Sequence, residues 1–237
     1  MTKNLEEYVN QSKKPSLNML FLETKVDNPN VDSHLGGLPY FTENDTWPTC
    51  DKCKKDMIFL MQLRQLNQDN SVVLTVLYHC RCQVEHYDPQ IKVYEYENPD
   101  IKRSITVNKS EKVLPYVAIR FEASWSLPHW NLLPLYNQEG YKAILSYHKG
   151  DKQLSEDWYE SIRWNENFLA TEPYSLIKGY PEFSASPKIV KCNCCNKTTD
   201  FVFQLDSYDD YKITWKDGEI LYCFRCPRTN TYYFIIN

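Results

Sequence analysis

The chain has 237 residues, 42% of them hydrophobic and 24% charged, values of an ordinary globular protein with material for a sizeable core; disordered and fibrous classes are excluded. A net charge of −4 speaks against duplex nucleic acid as the main partner, because that binding rests on clustered Lys and Arg. No stretch approaches the roughly 18 consecutive apolar residues of a membrane helix, and the first residues, MTKNLEEYVNQSKKP, lack the apolar run of an export signal, so a cytoplasmic protein without a membrane partner is expected.

In chain order, residues 4–14 read as one polar helix, and 37–39 (Gly-Leu-Pro) as a tight turn. Residues 58–63 and 72–78 are apolar and rich in residues that suit a pleated, half-buried surface, so both read as strands. Residues 117–121 are a further strand, and 125–134, with two prolines and two tryptophans, a loop over apolar surface. Residues 137–148 and 154–164 are helical candidates without a clean apolar stripe. Gly179-Tyr-Pro181 repeats the turn, 201–205 alternates Phe201, Phe203 and Leu205 with Val202 and Gln204, and TYYFII at 231–236 closes the chain as a strand.

Nine cysteines are the strongest chemical signal. Cys50, Cys53, Cys80 and Cys82 form one cluster, Cys192, Cys194, Cys195, Cys223 and Cys226 another, with none in the 109 residues between. Shifting the sequence by 142 residues superposes Gly37 on Gly179, Pro39 on Pro181, Cys50 on Cys192, Cys53 on Cys195 and Gln62-Leu63 on Gln204-Leu205. Nine identities fall in the 27 positions from 37 to 63, where chance gives roughly two. The chain therefore reads as an internal duplication: an extension at 1–30, a first repeat at 31–100, a connecting segment at 101–170 and a second repeat at 171–237. The fold class is α+β dominated by antiparallel sheet, with a zinc knuckle in each copy.

A Cys-x-x-Cys knuckle presents two thiolates to one metal, and a second pair from a distant strand completes a tetrahedral shell. The expected ligands of two structural Zn²⁺ ions are Cys50, Cys53, Cys80 and Cys82, then Cys192, Cys195, Cys223 and Cys226, with Cys194 a spare thiol. His79 or His86 is an alternative ligand in the first set, and Cys194 an alternative in the second. The competing reading is a group of buried, reduced thiols. A redox pair would want a strand-to-helix setting, whereas both knuckles lead into strands.

Gln62 and Gln204 occupy matched strand positions, to bind a ligand or to anchor a neighbouring loop's backbone. Trp125, Trp130, Tyr136 and Tyr141 gather in the middle, to line a groove or cover the junction of the copies. The histidines show no ligand spacing, and neither a nucleophile elbow nor a phosphate loop is present.

The segments His34-Leu-Gly-Gly-Leu-Pro-Tyr40, FLMQL at 59–63, Ser126-Leu-Pro128, Lys178-Gly-Tyr-Pro181, Phe203-Gln-Leu-Asp206 and Trp215-Lys-Asp-Gly218 resemble, in order, signature segments of the YwqG-like family. That resemblance spans 34–237 and implies a β-dominated α+β fold, a cytoplasmic setting and no established enzymatic activity; the zinc expectation rests on this chain's own cysteines. The two cysteine blocks are also similar to the programmed cell death 2 family, whose members act as dedicated chaperones in ribosomal subunit assembly.

The function expected is a non-enzymatic, zinc-stabilised protein-interaction module, chaperone-like or toxin-neutralising, with an unidentified protein partner in a groove between the copies. The alternatives are an enzyme at that junction, drawing on His129, Glu122 or Asp157, and a nucleic-acid-binding zinc protein.

Overall fold

A computed structural model describes residues 5–22, 31–67, 69–82, 89–107, 114–164, 175–183 and 186–237. Its frame is a ten-stranded antiparallel sheet, β1 (Lys14–Leu22), β2 (His34–Leu35), β3 (Ile58–Leu66), β4 (Val72–Cys80), β5 (Gln90–Glu97), β6 (Val117–Ser126), β7 (Leu176–Lys178), β8 (Asp200–Leu205), β9 (Leu221–Arg225) and β10 (Tyr232–Ile236). The spatial order is β10-β9-β8-β7-β1-β6-β2-β3-β4-β5. Among the described residues four α-helices accompany it, α1 (Leu5–Ser12), α2 (Leu133–Tyr136), α3 (Gln138–Tyr147) and α4 (Lys152–Arg163).

The longest pairing is central: β1 runs antiparallel to β6 from Lys14 opposite Ser126 to Leu22 opposite Ala118. β1 falls in the stretch expected to be an extension. Leu17, Met19 and Phe21 alternate with Ser16 and Asn18 and turn onto the principal core, a period-two pattern inside the expected extension, while Ser16 and Asn18 are buried as well. β6 continues to Ser126, beyond the expected end at 121, and the stretch after it holds a single turn at 130–132 and then α2. β5, with a mixed charged and aromatic sequence, carried no strand expectation either.

The sheet curls until its edges meet. Glu95 on β5 accepts a hydrogen bond from the Tyr232 hydroxyl on β10 at 2.6 Å and pairs with Arg225 of β9 at 3.4 Å, while the Arg225 guanidinium lies over the Tyr232 ring. The result is a nearly closed barrel-like wall. Its inner face carries the principal core, in which Met61, Leu63 and Leu77 from one half join Phe203, Leu205 and Leu221 from the other around Met19. Each half then has a core on its outer face: Phe59, Val76 and Tyr78 with Trp47, and Phe201, Tyr222 and Phe224 with Phe183.

Residues 142 apart hold matching local geometry. β2 pairs β3 at His34–Gln62 and β7 pairs β8 at Leu176–Gln204. The register of β3 against β4 shifts between Phe59 and Met61, and that of β8 against β9 between Phe201 and Phe203. The positive φ angles of Gly37 and Gly179, 69° and 74°, mark the two predicted turns.

The helices form a cap. Val9 of α1, Ile144 of α3 and Tyr159 of α4 pack around Trp130 and Leu127. Asp151 and Asn137 accept hydrogen bonds from the first turns of α4 and α3, satisfying donors the helices leave open. Arg163, buried at the end of α4, forms ion pairs with Glu160 and Glu182, which ties the cap to the second half of the sheet.

Candidate metal centres

In the first half, the chain entering β3 folds into a tight knuckle. The Cys50 amide donates to Lys55 O at 2.8 Å, the Lys54 amide donates to Cys50 O at 2.9 Å, and Lys54 takes φ 60°. This turn presents Cys50 and Cys53 together, and Trp47 closes it from below by donating Nε1–H to Met57 O at 2.9 Å. Cys80 at the end of β4 and Cys82 just beyond complete the group. Cys50 and Cys82 sulfurs are 3.6 Å apart, Cys53 and Cys80 sulfurs 3.5 Å, and all four lie within 4.8 Å of one another. Tetrahedral zinc–thiolate bonds of about 2.3 Å set sulfurs about 3.8 Å apart, so the four thiols have the spacing of a closed shell. His79 points instead into the core beside Trp215, with both ring nitrogens lacking a hydrogen-bond partner. His86 lies outside the described residues.

The second knuckle repeats the turn. The Cys192 amide donates to Lys197 O and the Asn196 amide to Cys192 O, both at 2.8 Å, with Asn196 at φ 55°. Here the sulfurs of Cys192, Cys195 and Cys226 lie within 4.8 Å of one another. Cys223 is not among them, a correction to the expected ligand set. It stands opposite Phe203 on β9, fully buried in the principal core, and burial pushes its thiol well up. The cause is register: Leu77 faces Met61 in the first half where Cys223 faces Phe203 in the second, so the counterpart of Cys80 is Cys226 and that of Cys82 is Arg228. The β8–β9 connection is longer than the β3–β4 connection by more than the single residue inferred from cysteine spacing, and odd shifts change the face on which a strand residue lands.

Thiols crowded this way cannot all ionise without a cation, since each thiolate raises its neighbours. The Tyr233 hydroxyl donates to Cys192 Sγ at 3.2 Å and brings that thiol down to about 5. Loss of hydration raises Cys50, but the amides of Cys53 and Lys52 outweigh it and hold the thiol at about 7. Loss of hydration and the thiols of Cys80, Cys50 and Cys53 push Cys82 up to about 12. Cys50 in the first cluster and Cys192 in the second are thus brought down toward the thiolate a divalent ion binds, and the Thr229 hydroxyl brings Cys226 down as well. Tyr233 was not among the expected site residues, and the one sequence signal for it is its place in the aromatic TYYFII strand at 231–236.

Gln62 and Gln204 prove to be loop anchors. Gln62 Oε1 accepts from the Tyr40 amide at 2.8 Å and its Nε2 donates to Asp32 O at 2.8 Å, while Gln204 Oε1 accepts from the Glu182 amide at 2.7 Å. The aromatic group divides: Trp130 is packed on Tyr141 and Tyr159 in the cap, Trp125 is exposed on β6, and Tyr136 packs edge-on against Tyr180 with Lys14 over both rings. His129, Glu122 and Asp157 are not brought together. His129 Nδ1 accepts from the Asn131 amide, Asp157 accepts from Gln153 on its own helix, and Glu122 is exposed on β6.

A cleft of about 260 Å³ lies between the two halves, lined by Leu63, Thr75 and Glu95 on one side and Phe203, Arg225 and Tyr232 on the other.

These features define a class, a curled antiparallel-sheet protein with two knuckle-borne thiol clusters, each able to hold a metal ion. The chain belongs to the family described as Domain of unknown function (DUF1963), whose model matches residues 33–227. The YwqG-like proteins that its motifs resemble are members of that family. Comparison with curated proteins gives no match. Among the described residues no helix is long and apolar enough to cross a membrane.

Proposed function

We propose that this chain is a cytoplasmic, non-enzymatic protein-interaction module in which two duplicated β units, each clipped by a zinc ion, present a shared cleft to a protein partner. The observation that carries the reading is the pair of cysteine knuckles with the same turn at residues 142 apart, each beside the outer core of its own half. Small outer cores under a long loop gain stability from a metal clip, because the ion ties the loop to the end of a strand. The cleft supports the interaction reading, since both halves line it and its Glu95, Arg225 and Tyr232 offer polar groups beside apolar Leu63 and Phe203. His129, Glu122 and Asp157 do not converge, which favours this reading over a catalytic one.

Two measurements test it. Plasma mass spectrometry on protein purified without added zinc or chelator should find two zinc atoms per chain. Affinity capture from native lysate should then recover a stoichiometric protein that Thr75→Arg, which fills the cleft, no longer retains. Metal-free, reduced and folded protein sinks the zinc reading, and the absence of any cleft-dependent partner sinks the interaction reading.

A further inference from the structure

The two thiol clusters differ in one ligand, and the difference is functional chemistry. The first closes on four sulfurs. The second brings together three, because Cys223 is committed to the core on the other face of β9, Arg228 takes the register position of Cys82, and the group beside Cys192 is the Thr229 hydroxyl rather than a thiol. Zinc bound by three protein ligands keeps a fourth position for something else. Two hydroxyls stand at the cluster, Tyr233, which donates to Cys192 Sγ at 3.2 Å, and Thr229, whose Oγ1 lies 3.8 Å from the same sulfur and 2.9 Å from Thr231 Oγ1, but neutral hydroxyls are not among the Cys, His and carboxylate groups that bind zinc. The remaining sulfur is Cys194, exposed on the knuckle, whose amide donates to Cys192 Sγ at 3.3 Å and whose own sulfur lies outside the mutually close set of three.

We propose that the second knuckle is a zinc site with a replaceable fourth ligand, in which Cys192, Cys195 and Cys226 hold the ion and Cys194 yields its place to an incoming monothiol. The proposal rests on the zinc reading above. Cys194 is adjacent in sequence to Cys195, so both sulfurs can reach one ion only if the knuckle bends, which makes the Cys194 bond the first to go. In the exchange the incoming thiol gives its proton to solvent and binds as thiolate, while the departing Cys194 thiolate takes a proton up; the sulfur count, the charge of the shell and the electron count are unchanged. The closed first shell offers no such position. One ion therefore serves structure alone, and the other is open to small thiols or to a partner's cysteine.

The test uses the full chain loaded with two metal ions, zinc for kinetics and cadmium-113 for nuclear magnetic resonance. Transfer of zinc to a chromogenic chelator should show two equal phases. Cys194→Ser, an exposed and tolerant position, should leave two metals bound, speed the fast phase roughly ten- to a hundredfold, the scale on which altered ligand support weakens metal sites, and move one cadmium resonance from the four-sulfur to the three-sulfur range. Added 2-mercaptoethanol should return that resonance to the four-sulfur range. Cys82→Ser should instead convert the slow phase into a second fast one. Unchanged phases and resonances in Cys194→Ser overturn the proposal, as does release of the second ion by Cys223→Ala, which would put the core thiol in the shell. A wild-type chain that takes up no metal refutes the zinc reading itself, a separate outcome.

Discussion

Replacing Gln62 by Leu tests the claim that the matched glutamines hold loops in place. The side chain is completely buried on β3, and it holds backbone groups on both sides of β2: the Asp32 carbonyl before it at 2.8 Å and the Tyr40 amide, in the loop that leads to the first knuckle, at 2.8 Å. Leucine has a similar volume, so packing is nearly conserved and the loss is polar. A buried amide deprived of its acceptor costs about 1–3 kcal/mol, and the second bond adds about 0.5–1.5 kcal/mol. The expected destabilisation is therefore about 2–4 kcal/mol, a large share of the 5–15 kcal/mol typical of a folded domain. Urea unfolding followed by tryptophan fluorescence, with zinc in constant excess, measures it as a lower midpoint at unchanged slope. Gln204→Leu, which releases the Glu182 amide, should cost about 1–3 kcal/mol. Losses under about 0.5 kcal/mol in both variants would refute the anchoring role and return the glutamines to the candidates for ligand recognition.

Arg163→Met leaves Glu182 buried without its cation and should cost about 3–5 kcal/mol, while Arg163→Met with Glu182→Gln should recover much of it; equal stability of the two variants in the same urea assay would refute the pairing. Gly36→Ala should destabilise far more than Gly150→Ala: both have positive φ, but a Cβ at Gly36 would lie 2.0 Å from Pro115 O, whereas at Gly150 it meets nothing within 4 Å. Burial holds the His34 imidazole down at about 4 against the push of its hydrogen bond to Gly36 O. Between pH 6.5 and 4 the unfolded chain therefore binds a proton at His34 that the folded one refuses, and stability falls as pH falls through that window, His34 contributing on the order of 3 kcal/mol and the buried His79, held down to about 3, adding to the same slope. Imidazole resonances of the folded protein should show His34 titrating near 4, and His34→Leu should reduce the stability slope, leaving the part that His79 contributes; a folded-state midpoint near 6.5 would contradict this.

Much of the architecture was legible from local patterns. The strands expected at 58–63, 72–78, 201–205 and 231–236 correspond to β3, β4, β8 and β10, and the two weak helical candidates to α3 and α4, because hydrophobic period and turn residues are local properties. The knuckles were legible for the same reason: two cysteines three residues apart before a strand need only a tight turn to meet, and Lys54 and Asn196 supply it at positive φ. β1 carries a local period-two pattern, Leu17, Met19 and Phe21 against Ser16 and Asn18, but its central place between β6 and β7 rests on pairing with residues far along the chain, which no local pattern shows.

The membership of the second cluster was decided by tertiary structure alone. Sequence spacing paired Cys223 with Cys80, yet the pairing of β9 with β8 sends Cys223 into the shared core and brings Cys226 to the knuckle. Composition and spacing determine that this chain has thiols in two groups able to meet a metal. Which thiols meet depends on strand register across a long connection, and with side chains alternating between faces, a shift of one residue exchanges core for site.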